Sequence, residues 1–182
     1  MSDFPAANAA YIKYFGTSPP SRACVAVPLP KGERLRVDIV GFDDKSTDGK
    51  PIGGRSTLHV QGMSYWAPAN IGPYSQAVAV NSRLHIAGQI PLQPPTLTFA
   101  PYPAPPASPY AHQAVLALQH VRRIVDVLRN PNSTGGGWTG WGESCVAWWA
   151  RPDGCGAEGP GLAQRAWSLW TEQVSFALLG KN

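Results

Sequence analysis

The sequence predicts an α+β fold from three observations: stretches whose apolar residues recur at helical spacing, short runs with strand-like alternation, and an order that mixes the two kinds irregularly. At 182 residues, with 43% hydrophobic and 14% charged content, one domain with a real core is expected. The 19 prolines and 19 glycines add long irregular connections.

Residues 4–15 form the first predicted helix. Ser2 and Asp3 can cap it, Phe4, Ala7, Tyr11, Tyr14 and Phe15 keep its spacing, and Gly16 with the Pro19-Pro20 pair ends it. Residues 22–27 read as a strand. After a turn at Pro30-Lys31-Gly32-Glu33, Leu35, Val37 and Ile39 alternate with Arg34, Arg36 and Asp38 in a second, half-exposed strand. Residues 43–56 are polar, Gly-rich and aperiodic, which predicts a linker, and 58–61 a short strand. Residues 77–80 and 83–89 are two strands around Asn81-Ser82, a tight hairpin. Eight prolines between 91 and 109 predict an extended, poorly ordered excursion. A long amphipathic helix starts at Ser108, with Pro109 in its first turn and Ala114, Ala117, Leu118, Val121, Ile124, Val125 and Leu128 as its buried stripe. Residues 130–142 are a Gly-rich loop and 144–150 a strand. The last helix, 161–179, turns Ala163, Ala166, Trp167, Trp170 and Leu178 inward.

Several function classes are disfavoured. The net charge is only +4 and Lys and Arg are scattered, so no nucleic-acid partner is implied. Cys24, Cys145 and Cys155 are an odd count at unrelated spacings, which fits a reducing cytoplasm better than a disulfide framework or zinc site. Neither a signal peptide nor a membrane span is expected. His59, His85, His112 and His120 have no metal-ligand spacing, so no metal is expected and surface or half-buried roles are the default. No phosphate loop, dinucleotide fingerprint or Gly-x-Ser-x-Gly elbow appears, and no cofactor is implied. The tryptophans at 138, 141, 148, 149, 167 and 170 have few basic neighbours, so packing suits them better than base stacking.

Residues 64–77 read Ser-Tyr-Trp-Ala-Pro-Ala-Asn-Ile-Gly-Pro-Tyr-Ser-Gln-Ala, and residues 20–30 read Pro-Ser-Arg-Ala-Cys-Val-Ala-Val-Pro-Leu-Pro. Both resemble signature segments of the YjgF/Rid family, the imine deaminase-like proteins also described as endoribonuclease L-PSP-like. In that family the Gly-Pro-Tyr-Ser-Gln-Ala segment lies near the start of the domain and the Pro-x-Arg segment near its end; here the order is reversed. The resemblance implies a Rid/chorismate-mutase-like sheet with helices packed on one face and its elements circularly permuted. Residues 1–42 then correspond to the last third of one Rid-like domain, 43–56 to a linker, and 57–182 to the first two-thirds of a second, with the Pro-rich insert 91–109. A single permuted domain forms if the strands within 21–42 pair with those at 77–89 and 144–150. Such pairing is expected physically, because an open edge exposing Leu35, Val37 and Ile39 invites aggregation. The helices at 4–15 and 161–179 compete for one slot. Asn8 stands where the family's helix carries a functional Asn, so 4–15 is expected to line the site, with 161–179 outside it or disordered. Residues 65–70 are also similar to the second Rid-like repeat fused to eukaryotic diphthamide-forming ligases. The ligases' ATP-binding Ser-Gly-Gly-x-Asp-Ser loop is missing here.

The resemblance centres the chemistry on Arg22. A 2-imino or 2-keto acid presents a carboxylate, which a guanidinium fork grips with two charge-assisted hydrogen bonds. An isolated Arg at a strand start would be read as a surface ion pair; Pro20, Cys24, Val25 and Pro30 in family register favour the clamp. Tyr74 would cover the ligand and donate its hydroxyl, and Asn8 would hold a water or a carbonyl. Arg22, Tyr74 and Asn8 are thus the implied catalytic set, and Cys24, Gly88 and Gln89 complete the ligand-binding one. Cys24 shares a strand face with Arg22 and is expected to act as a small buried hydrophobe rather than a nucleophile. Gly88 and Gln89 would shape the pocket floor.

One departure bears on turnover. Arg36 occupies the position of the family's glutamate, and Asp38 lies one pleat along. That carboxylate's acid–base help is worth about 100-fold or more. Three readings follow: a hydrolase converting reactive imines to keto acids and ammonia, a non-catalytic assembly or ligand-sensing appendage of a diphthamide-forming ligase, and a ribonuclease resting on the family's older description alone. A homotrimer is also implied, with Arg22 and Tyr74 at the subunit boundary. The apolar run at 144–150 fits a central strand covered on both faces.

Overall fold

The computed structural model describes residues 2–43, 54–68, 70–101, 109–131, 136–140 and 144–148, with the single positions 161, 164, 165 and 168. They form a small α+β structure in the order α1 (Phe4–Phe15), β1 (Arg55–Leu58), β2 (Ala77–Val80), β3 (Arg83–Ile86) and α2 (Pro109–Arg129). The chain divides into two compact units, the first comprising residues 1–61 and 70–88 and the second residues 62–69 and 89–182.

The first unit holds α1 and an antiparallel sheet in the order β1-β2-β3. The central strand, β2, is uniformly apolar, and its Ala77, Val78 and Ala79 are buried. Leu58 pairs with Ala77, and Ala77 with Ile86. Asn81 turns the hairpin at a φ of 53°, a left-handed conformation that Asn tolerates. Beyond Leu58 the pairing continues through a side chain. The amide of buried Gln76 accepts from Val60 N and donates to Val60 O, both at 2.9 Å. A side-chain amide here supplies the donor and acceptor of an absent backbone neighbour.

At its other end the hairpin opens. Ala87 N donates to Gln76 O, after which the two strands diverge around Pro20–Arg22: Ser75 N donates to Pro20 O at 3.1 Å and Gly88 N to Arg22 O at 3.1 Å. Ser21 and Ser75 form a parallel bridge. Buried Ser75 adds a hydroxyl donated to Pro19 O at 2.5 Å. Three hydrogen bonds therefore fix where Arg22 leaves the sheet.

In the second unit, α2 buries His120, Ile124, Val125 and Leu128. Its C-terminus is closed by Gly137 N on Arg129 O and Trp138 N on Leu128 O. Gly136 and Gly137 take φ of 102° and 81° in that closure, a backbone that glycine adopts freely. The Arg129 guanidinium stacks 5.5 Å from the Trp138 ring and donates to Gly140 O.

Several expectations are corrected. Residues 22–27 and 35–39 are not strands: beyond the single bridge at Ser21 they have no ladder partner among the described residues, and Leu35, Val37 and Ile39 are exposed. Pro28 and Pro30 cannot donate to a ladder, which shortens any pairing there. The strand expected at 58–61 lies instead at Arg55–Leu58, inside the expected linker, and the one expected to reach 89 stops at Ile86 where Pro20–Arg22 intervenes. Residues 144–148 are exposed and form no strand, with no pairing partner among the described residues; 149 and 150 lie outside the described residues. The Pro-rich excursion contains a closed turn. Leu92 bridges Phe99, and Gln93 N donates to Thr98 O; residues 102–108 are outside the description. Asp3 caps α1 with its carbonyl only, while its carboxylate pairs with Arg34, and Tyr14 faces solvent. His120, expected at or near the surface, is fully buried. Positions 161, 164, 165 and 168 are helical, and the rest of the expected 161–179 helix lies outside the described residues.

Candidate functional site

Arg22 emerges half-buried from the opened hairpin and meets α1. Its Nη2 donates to Asn8 Oδ1 at 2.8 Å. Phe4, Asn8 and Tyr11 lie four and three residues apart, which puts them on one face of α1. The Arg22 Cζ is 5.8 Å from the Phe4 ring centre, 4.7 Å from that of Tyr11 and 5.4 Å from that of Tyr74, all within cation–π range. Among the described residues no carboxylate pairs with Arg22; the ion pairs join Arg34 to Asp3, Arg36 to Glu33 and Arg122 to Asp126. One of its five N–H donors is used by Asn8.

Tyr74 is buried, on a tight turn closed by Tyr74 N on Gly72 O at 2.9 Å and by Asn70 Nδ2 on Tyr74 O at 2.7 Å. Burial raises the pKa of its phenol, and contact with the Ile71 backbone and the Arg22 charge oppose this only partly. The Tyr11 phenol is raised by burial too, against the same charge. Both rings therefore stay protonated through neutral pH and can donate.

Gly72 was not singled out from the sequence, although it sits in the signature segment. A Cβ there would lie 2.8 Å from Arg22 Nη2 and 3.4 Å from Asn8 Nδ2. The guanidinium rests where a side chain would be, and only glycine leaves that room. Phe4 and Tyr11 enter the sequence reading only as positions that keep the helical spacing of α1. Their spacing relative to Asn8 was the available signal, but it does not tell a core stripe from a site.

Of the expected site residues, the structure brings the catalytic set Arg22, Asn8 and Tyr74 together. Gly88 lies behind Arg22, with space for a Cβ limited by Ala23 at 3.2 Å. Cys24 is exposed rather than buried, because its segment has no covering layer among the described residues. Gln89 is half-buried and belongs to the second unit. Arg36 pairs with Glu33 at 3.0 Å, and Asp38 is exposed. Among the described residues, no group of three or more His, Cys, Asp or Glu side chains could hold a metal ion, and no helix is long and apolar enough to cross a membrane.

Comparison with known proteins first places the segment class. Over 32 residues the chain is 59% identical to a RutC family protein of Synechocystis, covering 18% of this chain and 25% of that one. Over a longer stretch it is similar to diphthine–ammonia ligases. It is 41% identical over 130 residues to the one from Schizosaccharomyces pombe, covering 71% of this chain. It is 37% identical over 139 residues to the one from Saccharomyces cerevisiae, covering 70%. In each case the match takes in 19% of the ligase, so the chain spans about a fifth of the length of these relatives. No family model matches the chain.

Proposed function

We propose that this chain is a Rid-like module that binds small 2-imino or 2-keto acids through Arg22, acting within a cytoplasmic protein of the diphthine–ammonia ligase kind. The observation that carries this reading is the Arg22 guanidinium itself, half-buried, oriented by Asn8 and flanked by three aromatic rings without a carboxylate partner among the described residues. A cation held this way is set to take an anion from solution. Tyr74 supplies a protonated hydroxyl beside it. The ligase relatives favour a ligand-sensing or assembly role in diphthamide formation over a free-standing enzyme.

The permuted Rid sheet and the trimer belong to the same proposal. Leu35, Val37, Ile39 and Val40 are exposed at 58–91%, and pairing of this arm with a neighbouring copy would cover them and complete the sheet. Imine hydrolysis is the second reading, favoured by the conjunction of Arg22 and Tyr74. It is weakened by Arg36, which stands in the glutamate's place and is neutralised by Glu33.

The test is a melting curve with and without 2-ketobutyrate, beside an amino-acid oxidase reaction in which imine decay is followed. A ligand-dependent rise lost in Arg22→Ala, with imine decay at background, supports the sensing role. Accelerated decay supports the hydrolase. No rise and no acceleration would remove both.

A further inference from the structure

The geometry points to Tyr11 as a positioning residue that sets the pose of the Arg22 guanidinium; the functional consequence rests on the binding reading above. Nothing in the signature segments assigns it a role. Its ring is the nearest of the three to the Arg22 Cζ, at 4.7 Å, against 5.4 Å for Tyr74 and 5.8 Å for Phe4. The ring is itself fixed, lying tilted against Phe15 with centroids 4.3 Å apart, so it acts as a braced wall rather than a free side chain. A long flexible Arg loses much rotamer freedom when it binds a carboxylate bidentately, and a site that already holds it loses less. Beside the more distant Phe4 and Tyr74 rings, three contacts do the closest holding. Asn8 Oδ1 takes one Nη2 hydrogen, the Gly72 backbone provides the space beside Nη2, and Tyr11 offers the cation a π face. The first two act at Nη2 alone, which leaves rotation about the long side chain. Tyr11 contacts the delocalised charge at its centre and removes that freedom.

The face of the ring, not its hydroxyl, is what matters here, so Tyr11→Phe should behave as wild type and Tyr11→Leu should not. Titration with 2-ketobutyrate is expected to show binding about threefold or more weaker for Tyr11→Leu, and unchanged binding for Tyr11→Phe. A ligand-free melting curve for each variant identifies any that has lost its fold. A second measurement needs no ligand: the Arg22 Nε–H resonance of the wild-type protein, assigned by its disappearance in Arg22→Lys. It is expected to be displaced by ring current and to move towards the free arginine position only in Tyr11→Leu. Wild-type binding with no loss in Tyr11→Leu would overturn the positioning role while leaving ligand binding intact. Absence of wild-type binding would sink the binding reading, and the resonance then decides the positioning role by itself. A wild-type Arg22 Nε–H at the free arginine position overturns it in every case.

Discussion

The Nη2 of Arg22 donates to Asn8 Oδ1 at 2.8 Å, joining residues from two segments with different constraints. Asn8 is carried by a helix, and Arg22 by a stretch wedged into the mouth of a hairpin. Because Oδ1 is neutral, it orients the guanidinium without neutralising it. The positive charge stays available, which an aspartate at the same place would not allow.

Asn8→Asp should therefore close the site. The new carboxylate would form a charge-assisted pair with Arg22 and compete with any incoming acid. Affinity for 2-ketobutyrate is expected to fall roughly tenfold or more, with little change in the ligand-free melting temperature, since a part-exposed ion pair contributes only about 0–1 kcal/mol. Calorimetric titration of the variant would show it. Unchanged affinity would mean that Arg22 is not the anchor.

Gln76→Ala should destabilise the first unit. It removes two hydrogen bonds to Val60 and leaves an N–H and a C=O there without partners. The cost is about 2–4 kcal/mol. Gln76→Glu should also fail, because a carboxylate can accept from Val60 N but repels Val60 O. Urea denaturation measures both, and a loss below about 0.5 kcal/mol for Gln76→Ala would show that water replaces the amide without penalty.

His120 should make the second unit sensitive to acid. Its Nε2 donates to Leu92 O at 2.8 Å, its Nδ1 is buried without a partner, and burial lowers its pKa from the ordinary 6.5, opposed by the Leu92 contact and helped by Arg123. In the unfolded chain the imidazole takes up a proton near pH 6.5, whereas the folded one waits for lower pH. Between those two values the unfolded form binds more protons, so stability falls as pH drops below about 6.5 and is fully present above it. Melting curves from pH 7.5 to 5 are expected to decline in wild type and to flatten in His120→Gln. Parallel profiles would assign the acid sensitivity to another group.

Val37→Glu should act on assembly rather than folding. Val37 is 58% exposed within one chain, so a charge there costs little in an isolated copy. If the arm pairs between copies, the mass in solution falls from trimer towards monomer. Light scattering that gives the same mass for both proteins would place the interface elsewhere.

Local patterning decided the helices and the hairpin. Phe4–Phe15 and Pro109–Arg129 follow from apolar spacing and Pro or Gly punctuation, and Ala77–Val80 with Arg83–Ile86 from an Asn-Ser turn between apolar runs. These depend on contacts close in sequence, which periodicity records. The signature segments likewise marked Arg22 and Tyr74. Strand character at 22–27, 35–39 and 144–148 was not decided locally, because a strand exists only where another backbone lies beside it, and among the described residues these have none beyond Ser21. The same reasoning separates the site's known members from its hidden ones. The family resemblance nominated Asn8. That its amide meets Arg22, that Tyr11 and Phe4 flank the cation, and that Gly72 makes room for Nη2 depend on bringing positions 4–11, 22 and 72–74 together. The wedge of Pro20–Arg22 between Ser75 and Gly88 brings position 22 to this hairpin through backbone hydrogen bonds, which depend little on side-chain identity and therefore leave no mark in the sequence.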